Sequence, residues 1–143
     1  MAPIDSPLTL SLALLACWAV VGAAGLLRTH SVALVGRVLF PLGAIIGVGL
    51  AIVAALSLTE PVEHATLHIG LPDLPMHVRL DNLSRVFLAL LGSASAGVSL
   101  FAAGYFRKGE GTAPGVLGLQ YHLFLASMGF VLVADDAYAF MVA

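Results

Sequence analysis

Within 143 residues the chain has six Lys and Arg, eight Asp and Glu, and five His for acid–base or metal chemistry. Few of them fall inside apolar stretches. Arg85 follows Asp81 and Asn82 at the head of a run that reaches Tyr105 with no other charge. One turn from the end of that run, its guanidinium can snorkel to an interface or pair with Asp81 at i,i+4 spacing, so anchoring is the expected role. His122 stands beside Gln120 and Tyr121, about two turns inside the uncharged run Val116 to Ala134. An imidazole changes charge near neutrality, so a histidine inside a span can relay protons, although its commoner use is as a hydrogen-bonded packing residue. Asp135 and Asp136 can gather protons at a channel mouth or simply end a helix in water, and the second is ordinary. Asp81, Arg85, His122, Asp135 and Asp136 are therefore the proton-path or structural polar positions to follow.

Glu63, His64, His68 and His77 form the cluster that most resembles a metal site. A structural zinc needs four ligands in set geometry, and nothing in the spacing fixes even a third, so a solvated polar face is expected and no metal. The sequence has no glycine-rich phosphate loop, no CxxC and no Ser-His-Asp or paired-carboxylate arrangement. Neither a catalytic centre nor a cofactor of its own is expected. The single cysteine, Cys17, excludes an intrachain disulfide; inside an apolar run it reads as a packed thiol.

The elements that must position these residues are greasy. Hydrophobic residues make up 60% of the chain and charged ones 10%, with a mean hydropathy of +1.04. Soluble domains carry about a quarter charged residues, so the composition is that of a multi-pass membrane protein. A net charge of −2 gives no reason to expect nucleic acid. Four apolar runs are long enough to cross a bilayer, at residues 8–27, 38–58, 83–105 and 116–134. The first is capped by Ser6 and Pro7, and it continues past Cys17 to Leu27 with no basic n-region, which argues against a cleaved signal. In the second, Pro41 falls in the first turn, and Gly43 and Gly47 form a GxxxG pair. The third has a small-sided middle, Gly92 to Ser99, which suggests a central helix packed on both sides.

Between the second and third runs the period changes from helical to two. Leu67, Ile69 and Leu71 alternate with polar residues, as do Met76, Val78 and Leu80 after Pro72-Asp73-Leu74-Pro75. A short hairpin over 65–80 is expected, with Leu71 opposite Met76, Leu67 opposite Leu80 and His68 opposite Arg79. After Asp135 and Asp136 the chain turns apolar again over 137–143, which reads as the start of a fifth helix cut short. The expected fold class is thus an all-α membrane protein: four transmembrane helices, an extramembrane β-hairpin and the start of a fifth span.

Lys and Arg counts set orientation. Arg28, Arg37, Arg107 and Lys108 place the loops at 28–37 and 106–115 in the cytoplasm, with the N-terminus and hairpin outside.

The stretch RLDNLSRVFLALLGSASAGVSLFAAGYF, followed by YHLFLASMGFVLVADDAYAFMVA, resembles a known family. It is similar to the N-terminal region of the antiporter-like membrane subunits of NADH–quinone oxidoreductase, Mrp antiporters and membrane-bound nickel–iron hydrogenases. LFLASM (Leu123 to Met128) and VADDAY (Val133 to Tyr138) look like the family's fourth-helix pattern. The hairpin and RLDNLS look most like the hydrogenase-4 and formate hydrogenlyase branch. The resemblance covers about residues 60–143, and residues 1–58 by topology alone. It implies an inner (plasma) membrane protein whose partners are lipid and the other membrane and peripheral subunits of a respiratory complex. It also implies proton translocation coupled to electron transfer elsewhere. The family's proton-carrying glutamate and lysines lie beyond the position of Ala143, so none transfers to this chain; Asp81 and Asp135 are the matching polar positions. The alternative is a small four-helix scaffold or assembly protein without transport.

Overall fold

The computed structural model describes residues 6–71, 74–105 and 113–143. Among the described residues four helices are long and apolar enough to cross a membrane: Pro7–Arg28, Val32–Leu56, Asn82–Tyr105 and Pro114–Val133. The first is an α-helix, α1 (Pro7–Ala24), tightened into a 3₁₀ turn at Gly25–Arg28. It starts where expected, because the Ser6 hydroxyl accepts the Thr9 N–H and Pro7 needs no partner in the first turn.

The second span begins earlier than its hydropathy suggests. Ser31 accepts the Leu34 N–H and caps α2 (Val32–Leu34), so Arg37 lies inside the span rather than in a connection. A π turn at Val35–Leu39 follows, then α3 (Phe40–Leu56). Pro41 has no N–H to give to the preceding turn, and the widened turn stands directly before it. The third and fourth spans are α4 (Asn82–Tyr105) and α5 (Pro114–Val133). A six-residue helix, α6 (Ala137–Val142), occupies the expected start of a fifth span. The charged loop with Arg107, Lys108 and Glu110 lies outside the described residues.

Each span turns a narrow seam inward at alternating steps of three and four. Leu8, Ser11, Leu15, Trp18 and Gly22 are buried on α1; Phe40, Gly43, Gly47, Leu50 and Ala54 on α3. Arg85, Leu88, Gly92, Ser95 and Ser99 follow the same steps on α4, and Gly118, His122, Leu125 and Gly129 on α5. That spacing is the seam of left-handed helix packing. Lipid is as apolar as leucine, so these faces are chosen by fit and hydrogen bonding rather than by hydrophobicity.

The small-sided middle of α4 does not make it a central helix. Gly92, Ser95, Ala96 and Ser99 are buried, but Ser93, Ala94 and Gly97 are exposed, as are Leu83, Val86, Leu90 and Phe101. Its small face meets α3, where a Cβ on Gly47 would lie 2.7 Å from the Gly92 carbonyl oxygen. Cys17 also differs from expectation: it is exposed on the outer side of α1, because the inward seam passes through Leu15 and Trp18.

The hairpin forms from β1 (Glu63–Leu71) and β2 (Leu74–Leu80), antiparallel. Its register differs from the expected one. Leu67 pairs with Met76 instead of Leu80, and His64, not His68, stands across from Arg79. The ladder is irregular between Leu67 and Gly70, opposite Met76 and Pro75, where proline cannot donate a rung. The displacement at Leu67 is four residues, from Leu80 to Met76. An even slip keeps every side chain on its own face, so the apolar face survives the error. Met76, Val78 and Leu80 are buried, and Val78 and Leu80 join Leu8, Leu50, Leu88 and Val133 in one core.

Candidate functional site: a buried imidazole and a polar clasp

Two regions gather the chain's polar side chains. The first lies within the spans, around His122. Its ring is wholly enclosed, at 0% exposure. Eight residues separate it from the start of α5 at Pro114, roughly 12 Å at 1.5 Å per residue in a helix of 20, which puts it near mid-span rather than near an end. Nδ1 donates to the Gly118 carbonyl one turn back, at 2.7 Å. Among the described residues Nε2 has no hydrogen-bond partner.

The ring fits because two neighbours lack side chains. A Cβ on Gly22 of α1 would meet the His122 Cβ at 3.0 Å, and one on Gly43 of α3 would collide with Nε2. Trp18 fixes the same junction from above by donating its indole N–H to the Gly43 carbonyl, at 3.1 Å. Phe40 packs 5.5 Å from the imidazole centre, and Tyr121 presents its edge at 5.1 Å. The Tyr121 hydroxyl turns away to α4, where it meets Ser99 Oγ at 3.0 Å and the Ser95 carbonyl at 3.2 Å. So α1, α3 and α4 all meet α5 within one turn of His122.

The second region ties the hairpin to the ends of the spans, roughly 20 Å along the chain from His122 to Asp135 at helical rise. Arg85 is its buried member. The expected pairing with Asp81 does not form; instead Nη1 donates to the Glu60 carbonyl at 2.6 Å and to Asn82 Oδ1 at 2.9 Å, and Nη2 to the Pro61 carbonyl at 2.7 Å. The guanidinium thus closes the chain leaving α3 onto the start of α4, while Nε has no partner among the described residues. Snorkelling is not observed either, since Arg85 is 0% exposed. Asp81 is drawn to its own helix, accepting the Ser84 N–H at 2.7 Å and lying 3.5 Å from Arg79. The Ser84 backbone N–H, and to a smaller extent Arg79, hold its carboxyl below the usual carboxylate range against the opposing effect of burial.

Asp135 and Asp136 do more than end α5. Asp136 Oδ1 caps α6 by accepting the Ala139 N–H, and Oδ2 accepts the His77 N–H at 2.7 Å and faces His77 Nδ1 at 3.0 Å. Those backbone N–H groups, Ala139 first, hold the pKa of its carboxyl below the carboxylate norm. Asp135 pairs with Arg79 Nε at 3.2 Å and with His64 at 3.6 Å, and its N–H donates to the His77 carbonyl. Glu63 reaches the other way and accepts the Leu8 N–H of α1 at 3.1 Å. The hairpin is therefore bonded to the head of α1, to Asp81 just before α4 and to the corner between α5 and α6, while Arg85 ties the chain leaving α3 to the head of α4.

Glu63, His64, His77, Asp81, Asp135 and Asp136 of this clasp bind one another, Arg79 or backbone. Among the described residues no group of three His, Cys, Asp or Glu is disposed to hold a metal ion. Sequence reasoning named Asp81, Arg85, His122, Asp135 and Asp136, and the structure places His122 alone in the interior and the other four in the clasp. It missed Trp18, Glu63 as an anchor for α1, and the Tyr121–Ser99 contact. For Trp18 there was a signal: an indole inside an apolar run needs an acceptor for its N–H.

No protein-family model matches this chain, and no curated protein matches it either.

Proposed function

We propose that the chain is the N-terminal part of a proton-translocating, antiporter-like membrane subunit of a hydrogenase- or NADH dehydrogenase-like respiratory complex. Electrons move on other subunits, which hold the redox groups, and this subunit converts their changes of charge or shape into proton movement. The observation that supports this best is His122, an ionisable ring at mid-span, shut away from lipid and water, with one nitrogen unsatisfied. Buried polar atoms are nearly always paired, and an intramembrane ionisable group is expensive, so such a ring is kept for a use. The family resemblance of residues 79–106 and 121–143 supplies the use. Segregation of Lys and Arg supports an orientation with the span ends that carry Arg28 and Arg37 on the cytoplasmic side and the hairpin clasp outside.

The test is purification of the native product from its own membrane in mild detergent, followed by mass determination and identification of co-purifying proteins. The expected result is a product heavier than 14.7 kDa travelling with hydrogenase- or NADH dehydrogenase-type redox subunits. A 14.7 kDa product that travels without them would replace this reading with a small four-helix scaffold or assembly protein.

A further inference from the structure

The carbonyl of a helical residue points toward the N–H four positions on. Leu39, the last residue of the π turn, is therefore directed at Gly43, and Gly43 has no side chain to cover that approach. The bare Nε2 of His122 lies against Gly43, and the Leu39 carbonyl lies against the imidazole. A π turn inside an α-helix is uncommon and recurs at functional sites. Here it ends beside a buried base that lacks a partner.

We propose that His122 is an intramembrane proton-binding site in which Nε2 takes up the proton and the Leu39 carbonyl receives the new N–H. The neutral ring already donates Nδ1–H to Gly118, so Nε2 is the atom with a free lone pair. A proton from bulk water adds there, forming one N–H bond, and leaves by the same atom. The imidazolium then has a carbonyl at each end, Gly118 on its own helix and Leu39 on the second span. Phe40, with its ring centre 5.5 Å away, is within cation–π range. The other groups packed on it are Gly22 of α1, Gly43 of α3 and Tyr121 of α5; Tyr121 is the titratable one, and its hydroxyl is committed to Ser99 and Ser95. Among the described residues no ion pair reaches the ring. Proton uptake would thus pull the end of the π turn toward α5, linking charge on one helix to backbone shape on another.

The proposal uses the same ring as the transport reading and deepens it, and the two can fail separately. The full chain, labelled with ¹⁵N-histidine in lipid nanodiscs, is titrated from about pH 4 to 9 while imidazole nitrogens are followed by NMR. The expected result is one histidine whose Nδ1 is protonated throughout and whose Nε2 passes from bare to protonated as the pH falls. H122N should remove that signal; should H122N not insert, H30Q/H64Q/H68Q/H77Q leaves His122 as the sole reporter. G43A, whose methyl would collide with Nε2 and displace the ring, should abolish the transition. A ring that keeps Nε2 bare over the whole range, or that titrates unchanged in G43A, overturns the proposal. Co-purification with redox subunits is unaffected by that outcome, and loss of co-purification would leave the titration standing.

Discussion

The interior of the bundle and the hairpin clasp hold the same helices together by opposite means. Inside, backbone lies on backbone: a Cβ on Gly92 would sit 2.5 Å from the Gly47 carbonyl and 2.7 Å from the Ala51 nitrogen. Hydrogen bonds between spans are few there, and fit decides everything. In the clasp the packing is loose, with His64 and His77 more than half exposed, and the links are ionic or side chain to backbone between distant segments. The contrast shows what lipid and water each demand. In lipid, apolar faces gain nothing by hiding from solvent, so helices must gain by close contact; at the wet end, polar groups can find water, so geometry there depends on charge. The two regions should therefore respond to different insults.

The largest effect is expected from adding bulk to the interior. G92V forces a side chain into the backbone of α3 and should cost about 3 kcal/mol, at the upper end for overpacking. G97V, five residues along on the same helix, meets nothing within 4 Å and should stay within about 0.5 kcal/mol. Thermal unfolding of both variants in detergent measures the difference. Equal losses would mean that glycine matters here for backbone freedom and not for the α3 contact.

Next comes Arg85, the point at which the two regions meet, buried like the interior but bonded like the clasp. R85L leaves the Glu60 and Pro61 carbonyls without their donor and should cost about 2–4 kcal/mol, since charged hydrogen bonds are worth about 1.5–3 each and do not add fully. R85K keeps the charge but loses the fork that reaches both carbonyls, and should recover about half. If lysine restores full stability, charge rather than geometry holds the junction.

Acid should open the clasp and spare the interior. Asp81 and Asp136 bind protons less readily in the folded chain than when unfolded. Their contribution is complete above the unfolded carboxylate range, about pH 4, and is lost as the pH falls further. Hydrogen exchange at the His77 and Ala139 amides, both bonded to Asp136, should accelerate as the pH is lowered toward about 3, once corrected for intrinsic rates. D136N should bring part of that acceleration to neutral pH. Amides of α3 around Gly47 should show neither change.

How much of this was legible in the sequence divides along the same line. Length and hydropathy located the spans to within a few residues, save where Ser31 started the second one early. They did not show which face of each span turns inward, because every face is apolar; Gly43 and Gly47 marked it on α3, and on α1 the mark was Trp18, whose indole N–H needs an acceptor. The π turn left one trace, Pro41. In the hairpin the alternation fixed which side chains face the core, and that is insensitive to an even slip. The rung pairing depended on a bulge and on Pro75, which a pattern of period two does not contain. Arg85 was legible as an anchor but not its partners, because two of its three acceptors are backbone carbonyls and carry no residue signature. His122 was noticed too, while its enclosure depends on Gly22 and Gly43, which are remote in sequence.

The smallest effect sharpens the comparison instead of breaking it. Cys17 lies ten residues from the start of α1, on the face turned away from the seam. C17A touches neither region and should change stability by less than about 0.5 kcal/mol. Its thiol, at mid-span and toward lipid, should resist charged maleimides in intact membranes and react once detergent unfolds the chain. The cysteine-free chain then takes one reporter at each end of the bundle: H64C in the clasp, where His64 is 61% exposed, and H30C in the turn between the first two spans, also exposed. With vesicles of known sidedness, an impermeant maleimide should label one from outside and the other only after permeabilisation. The two positions lie on either side of α3, a helix of 17 residues, about 25 Å long at 1.5 Å per residue and most of the hydrocarbon thickness. Labelling of both from one face would mean that α3 does not cross, and the interior seam would then have to form in a helix lying along the membrane.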